Sequence, residues 1–101
     1  MNNKNLQVHH ETITEFCIKN KIKKLSLFGS VLTDSFNPDS DIDILVEFES
    51  GKGPTLLGLA RMERELSEIL GRKVDLRTPQ ELSIYFRNKV LSTAQVQYAR
   101  G

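Results

Sequence analysis

Asp41 and Asp43 are two carboxylates one residue apart, at the head of a stretch in which Ile42, Ile44, Val46 and Phe48 take alternate positions. A strand directs residues i and i+2 to one face, about 7 Å apart along the chain; a helix would turn them roughly 200° from each other. If the isoleucines face a core, Asp41 and Asp43 therefore share the open face. Two carboxylates held this way repel, and one takes up a proton unless a cation lies between them. Oxygen ligands with positions left open suit magnesium, or manganese, completed by substrate phosphates and water.

Ten residues separate Asp41 from an upstream turn, Leu27-Phe28-Gly29-Ser30, which reads as a strand end running into a short helix. Backbone N–H groups at a glycine turn attract phosphate, and the Ser30 hydroxyl adds a donor. A phosphate cradle beside a dicarboxylate cation site is equipment for phosphoryl or nucleotidyl transfer. A third carboxylate follows in Arg72-Lys73-Val74-Asp75-Leu76-Arg77. With Val74 and Leu76 turned to the core, Asp75 takes the other face, joining the pair if this strand lies beside the second. Asp39, Asp41 and Asp43 also spell D-x-D-x-D, but a calcium-binding EF-hand loop needs glycine and glutamate where this chain has Ile44 and Ser50.

The elements that must position these groups follow from periodicity. Leu6 to Asn20 reads as a helix with Ile13, Phe16 and Cys17 inward. Lys19, Lys21, Lys23 and Lys24 complement its C-terminal end, and His9 and His10 read as surface residues. Leu25 to Phe28 is the first strand, Val31 to Ser35 one or two helical turns, and Phe36 to Ser40 a turn. Residues 49–54 form a loop from which Lys52 could reach a phosphate. Thr55 to Leu70 is the longest helix, with Leu56, Leu59, Met62, Leu66, Ile69 and Leu70 as its apolar stripe and Gly71 as a left-handed cap. Thr78, Pro79 and Glu81 carry a helix-start signature. The remainder, to about Tyr98, reads as mixed helix, with Leu82, Tyr85, Phe86, Val90 and Leu91 covering a sheet face. The order implies an α/β (α+β) fold, a small mixed β-sheet with helices packed on one face and the carboxylates lining the other.

With 101 residues, 39% of them hydrophobic, the chain is expected to form a single domain, residues 1–101. Its net charge of +1 argues against direct nucleic-acid binding. No apolar run is long enough for a membrane span, and the first five residues lack the apolar stretch of a signal peptide. A lone Cys17 excludes an intrachain disulfide and fits a reducing cytoplasm.

Gly29-Ser30, ten residues, then Asp-x-Asp on a strand resembles the polymerase-beta-like nucleotidyltransferase superfamily. The run "LFGSVLTDSFNPDSDIDILVEF", followed by "GRKVDLRTPQELS", resembles its minimal nucleotidyltransferase branch. The resemblance implies transfer of a nucleoside monophosphate, AMP from ATP, to a hydroxyl, with release of pyrophosphate. Asp41, Asp43 and Asp75 would be the catalytic and metal-binding residues holding two magnesium ions, with Asp75 also the candidate base. Gly29 and Ser30 would bind the β- and γ-phosphates. It further implies a HEPN-domain toxin as partner, modified on a tyrosine, with this chain as antitoxin. A homodimer is also compatible with so small a domain. The sequence departs from the common pattern at Val31, where the family usually carries arginine. The alternative is a non-catalytic module of the same fold that neutralises its partner by contact alone.

Overall fold

The computed structural model describes residues 2–3, 6–7 and 9–100. Its centre is a four-stranded mixed sheet of β3 (Ile22–Phe28), β4 (Ile42–Phe48), β5 (Val74–Arg77) and β6 (Gln95–Ala99), in the order β5-β4-β3-β6. A separate two-stranded antiparallel sheet pairs β1 (Asn2–Asn3) with β2 (Leu6–Gln7). Among the described residues there are three α-helices, α1 (His10–Lys19), α2 (Leu56–Leu70) and α3 (Ile84–Thr93). Among the described residues no helix is long and apolar enough to cross a membrane.

The alternation in β4 sets the layers. Ile42, Ile44 and Val46 are fully buried with Val74 and Leu76 of β5 and with Ile13, Phe16, Cys17, Met62 and Leu66 from α1 and α2. These side chains form the main core, on one sheet face. Burial pushes the Cys17 thiol up to about 12, so it packs as a small apolar group. On the other face a smaller cluster joins Phe28 and Leu45 to Val90 of α3, so the third helix covers part of that surface. β3 runs antiparallel between β4 and β6 and is buried on both sides over Leu25 to Phe28.

Several expectations need correction. The first helix begins at His10, not Leu6. Leu6 reaches the core from β2, which pairs with β1, and not from a helical face; Val8 lies outside the described residues. His9 and His10 are exposed, as expected. β3 starts at Ile22, since Ile22 pairs with Phe48 at the far end of β4. The turn after it is a single 3-10 turn over Gly29–Leu32. Thr78 and Glu81 do form a reciprocal cap, but on a three-residue 3-10 turn, Pro79–Glu81. The chain after α3 is a fourth strand and not helix: Ala94 is extended, and β6 satisfies the free edge of β3. Exposure also differs from the helical stripes. Leu56 is 84% and Tyr85 94% exposed, and Phe86 and Leu91 also face solvent, because α2 and α3 meet the sheet only through part of their lengths.

Glu63, expected in water, instead accepts a hydrogen bond from the Leu76 N–H at 2.8 Å, and Ser67 Oγ accepts one from Val74 N–H at 3.1 Å. Helix α2 thereby caps the outer edge of β5, the kind of strand edge that otherwise invites association.

Candidate active site

Register brings the acidic residues together. β4 and β5 run parallel, with Ile42 opposite Val74, Asp43 opposite Asp75 and Ile44 opposite Leu76. The same alternation that buries the aliphatic pairs places Asp43 and Asp75 side by side on the opposite face. Asp41 stands one residue ahead of β4, not within it, on the same phase as Asp43. Each of the three carboxylates is partly exposed.

Gly29 brings in the turn. Phe28 pairs with Asp43 across β3 and β4, so the residue after Phe28 lies beside the Asp43 side chain. A Cβ at Gly29 would fall 2.2 Å from Asp43 Oδ2, and its φ of +78° is a left-handed conformation. Both facts require glycine here. Ser30 follows, partly exposed, and its carbonyl accepts from the N–H and hydroxyl of Thr33 at 2.9 and 2.8 Å. The expected turn and the acidic pair thus meet through direct contact.

The electrostatics fit a cation. Burial, followed by repulsion from Asp75 and then Asp41, holds the Asp43 carboxyl above its ordinary range, while Arg77 offsets part of the rise. Arg77 Nε lies 3.1 Å from Asp75 Oδ1, and Lys73 Nζ lies 3.9 Å from Asp41 Oδ2. These are exposed pairs of small energetic weight, roughly 0–1 kcal/mol each. Among the described residues no three His, Cys, Asp or Glu side chains form a ready-made metal cage. The donor set is instead oxygen-only and open on one side. That suits a hard divalent cation whose shell is completed by phosphate oxygens and water.

Two residues that the sequence left unassigned act here. Arg72 donates from Nη2 to the carbonyls of Asn37 at 2.6 Å and Ser40 at 2.8 Å, with its guanidinium 4.5 Å from the centroid of Phe36. It ties the loop that delivers Asp41 to the chain entering β5. No sequence signal names its partners, because they are carbonyls fixed by the loop path. Arg72→Ala is expected to cost about 1–2 kcal/mol of stability in denaturant titration. Arg72→Lys should recover little, lacking the planar fork. The second residue, Arg77, sits two positions after Asp75 on the same face, which strand alternation alone predicts.

Val31, at the position where the family usually carries arginine, is fully buried in the main core, so it anchors the turn from inside. The loop that carries Lys52 follows Phe48, and five strand residues at about 3.3 Å each put that end of β4 some 16 Å from Asp43.

A model of the family described as "Nucleotidyltransferase domain" matches residues 10–96. A Methanocaldococcus jannaschii protein, provisionally named a protein adenylyltransferase, is 39% identical over 82 residues, covering 81% of this chain and 86% of its own. A solved structure described as a minimal nucleotidyltransferase, also provisionally, is 35% identical with a TM-score of 0.70, over 84% of this chain and 85% of that one. A chain in the complex of a tri-AMPylated Shewanella oneidensis HEPN toxin with its MNT antitoxin superposes with a TM-score of 0.66 at 22% identity. That match covers 90% of this chain and 70% of the other, and at such identity it shows a common fold.

Proposed function

The chain belongs to the nucleotidyltransferase domain family, and from that premise we propose that it transfers AMP from ATP to a hydroxyl group of a partner protein. The observation that carries this reading is Asp43, opposite Asp75 in the parallel pair and with its carboxylate against the Gly29 turn. In the reaction the acceptor oxygen attacks the α-phosphorus of ATP. A new P–O bond forms, the bond from the α-phosphorus to the bridging oxygen breaks, and pyrophosphate leaves. The Gly29 and Ser30 backbone and the Ser30 hydroxyl hold the β- and γ-phosphates in line with the attack. Asp41, Asp43 and Asp75 are the residues that would hold two magnesium ions, with manganese an alternative. When bound, these ions would neutralise phosphate charge and acidify the acceptor hydroxyl. Asp75 accepts the hydroxyl proton, and Arg77, hydrogen-bonded to it, orients its carboxylate.

The acceptor we propose is a tyrosine of a HEPN-domain toxin, with this chain as its antitoxin. Support comes from the AMPylated toxin in the structurally similar complex. The exposed Leu56, Leu57, Ile84 and Tyr85 also suit a protein partner. We place the reaction in the cytoplasm, where ATP is available and Cys17 stays reduced, with residues 1–101 acting as one catalytic domain. The test is incubation of the protein with its co-expressed partner, magnesium and ATP labelled at the α- or γ-phosphate. The α-label should enter the partner and the γ-label should not, and a chelator should stop transfer. Entry of the γ-label would mean phosphorylation instead, and absence of both would sink the proposal.

A further inference from the structure

Beside the turn lies a cavity of about 310 Å³ walled by Phe28, Leu32, Phe86 and Val90, with Gly29 and Lys89 also lining it. The walls are almost wholly apolar, which disfavours phosphate and favours a flat ring. Phe86 remains 56% exposed, unusual for a phenyl ring with an adjoining apolar cavity to fill. Lys89 offers a hydrogen-bond donor to the edge of such a ring, and the Thr93 hydroxyl, which donates to the Lys89 carbonyl at 2.8 Å, offers an acceptor lone pair. A larger hollow of about 600 Å³ lies past the other end of β4 and is lined by Glu47, Glu49 and Glu81, a lining that repels a nucleotide.

We propose that the cavity between the Gly29 turn and α3 is a nucleobase subsite, taking the base of the nucleoside triphosphate donor against Phe86. The proposal rests on the nucleotidyl-transfer reading and adds the part of the donor which that reading leaves unplaced. Direction selects the donor over the acceptor. In-line attack puts the acceptor opposite the departing pyrophosphate, and Gly29 stands on the pyrophosphate side. A ring seated beside Gly29 therefore belongs to the nucleotide. Apolar walls with a few polar donors are the usual make-up of such a site, and a base stacked on an aromatic side chain contributes enough to change affinity tenfold or more.

The experiment compares equilibrium binding of ATP and of inorganic tripolyphosphate, each with magnesium, to wild type, Phe86→Ala and Thr93→Phe. Circular dichroism confirms that both variants fold. Wild type should bind ATP at least about tenfold tighter than tripolyphosphate. Phe86→Ala removes the stacking face, and Thr93→Phe fills the cavity. Each should weaken ATP about tenfold and leave tripolyphosphate within about twofold. Unchanged ATP affinity in both variants, or equal losses for both ligands, would overturn the subsite. So would a wild type that binds tripolyphosphate as well as ATP, and that result would leave nucleotidyl transfer standing. A wild type that binds neither would overturn both.

Discussion

Asp43→Asn is expected to lower AMP transfer by about three orders of magnitude, the kinetic equivalent of the several kcal/mol that a cation-holding carboxylate supplies, while making the protein more stable. The two effects share one cause. Asp43 is held above its ordinary pKa by burial and by the charges of Asp75 and Asp41. A carboxyl whose folded-state pKa is raised binds its proton more tightly folded than unfolded, so its ionisation costs stability. The favourable contribution is complete below the unfolded-state pKa and is lost as pH rises through the folded-state value. At neutral pH without divalent cation, the asparagine variant should therefore melt above wild type. The gap should close as pH falls and Asp43 takes up its proton. Magnesium should raise the wild-type midpoint and leave the variant nearly unmoved, as expected of an ion that binds only a folded site holding the Asp43 carboxylate. A variant that keeps transferring the α-label, or that melts below wild type at neutral pH, would contradict this account. Partner neutralisation that persists in the Asp41→Asn, Asp43→Asn double variant would favour inhibition by contact alone.

Gly29→Ala should produce the largest loss of stability from a single methyl group, about 2–3 kcal/mol, and should cut activity about a hundredfold. Two penalties combine. The φ of +78° is unfavourable for any residue with a side chain, and the new Cβ would sit 2.2 Å from Asp43 Oδ2 and 3.1 Å from its Cγ. Asp43 cannot simply withdraw, since register holds its backbone between Phe28 and Asp75. Gly71→Ala separates the two penalties. Its φ is +67°, but nothing lies within 4 Å of the added Cβ. It should cost only the conformational part, about 1 kcal/mol, and leave activity intact. Repeating Gly29→Ala in an Asp43→Ala background removes the obstructing carboxylate, so the loss of stability should fall toward the Gly71 value. The difference between the two backgrounds measures the contact directly.

These outcomes turn on features of unequal visibility in the chain. The phase of Asp41 and Asp43 was legible because strand alternation is local: burying Ile42, Ile44 and Val46 leaves the intervening carboxylates one face to occupy. The left-handed Gly71 and the Thr78–Glu81 pair were legible for the same reason, each being a short-range conformational requirement. The fourth strand was not. Gln95-Val96-Gln97-Tyr98 alternates weakly, and what makes it a strand is the unpaired edge of β3, some seventy residues earlier. Leu6 misled for a related reason, since an apolar residue seven positions before Ile13 suits a helix as well as a strand.

By itself the sequence singled out Asp41, Asp43, Asp75 and the Gly29-Ser30 turn as candidates and gave the strand face of each aspartate, because both follow from residue type and a period of two. Only the tertiary structure decided that β5 lies parallel to β4 with Asp75 opposite Asp43, that the Asp43 carboxylate rests on Gly29, and that Arg72 clamps the loop before Asp41. Those relations join segments far apart in the chain, and their register is set by packing the shared core rather than by any neighbour in sequence.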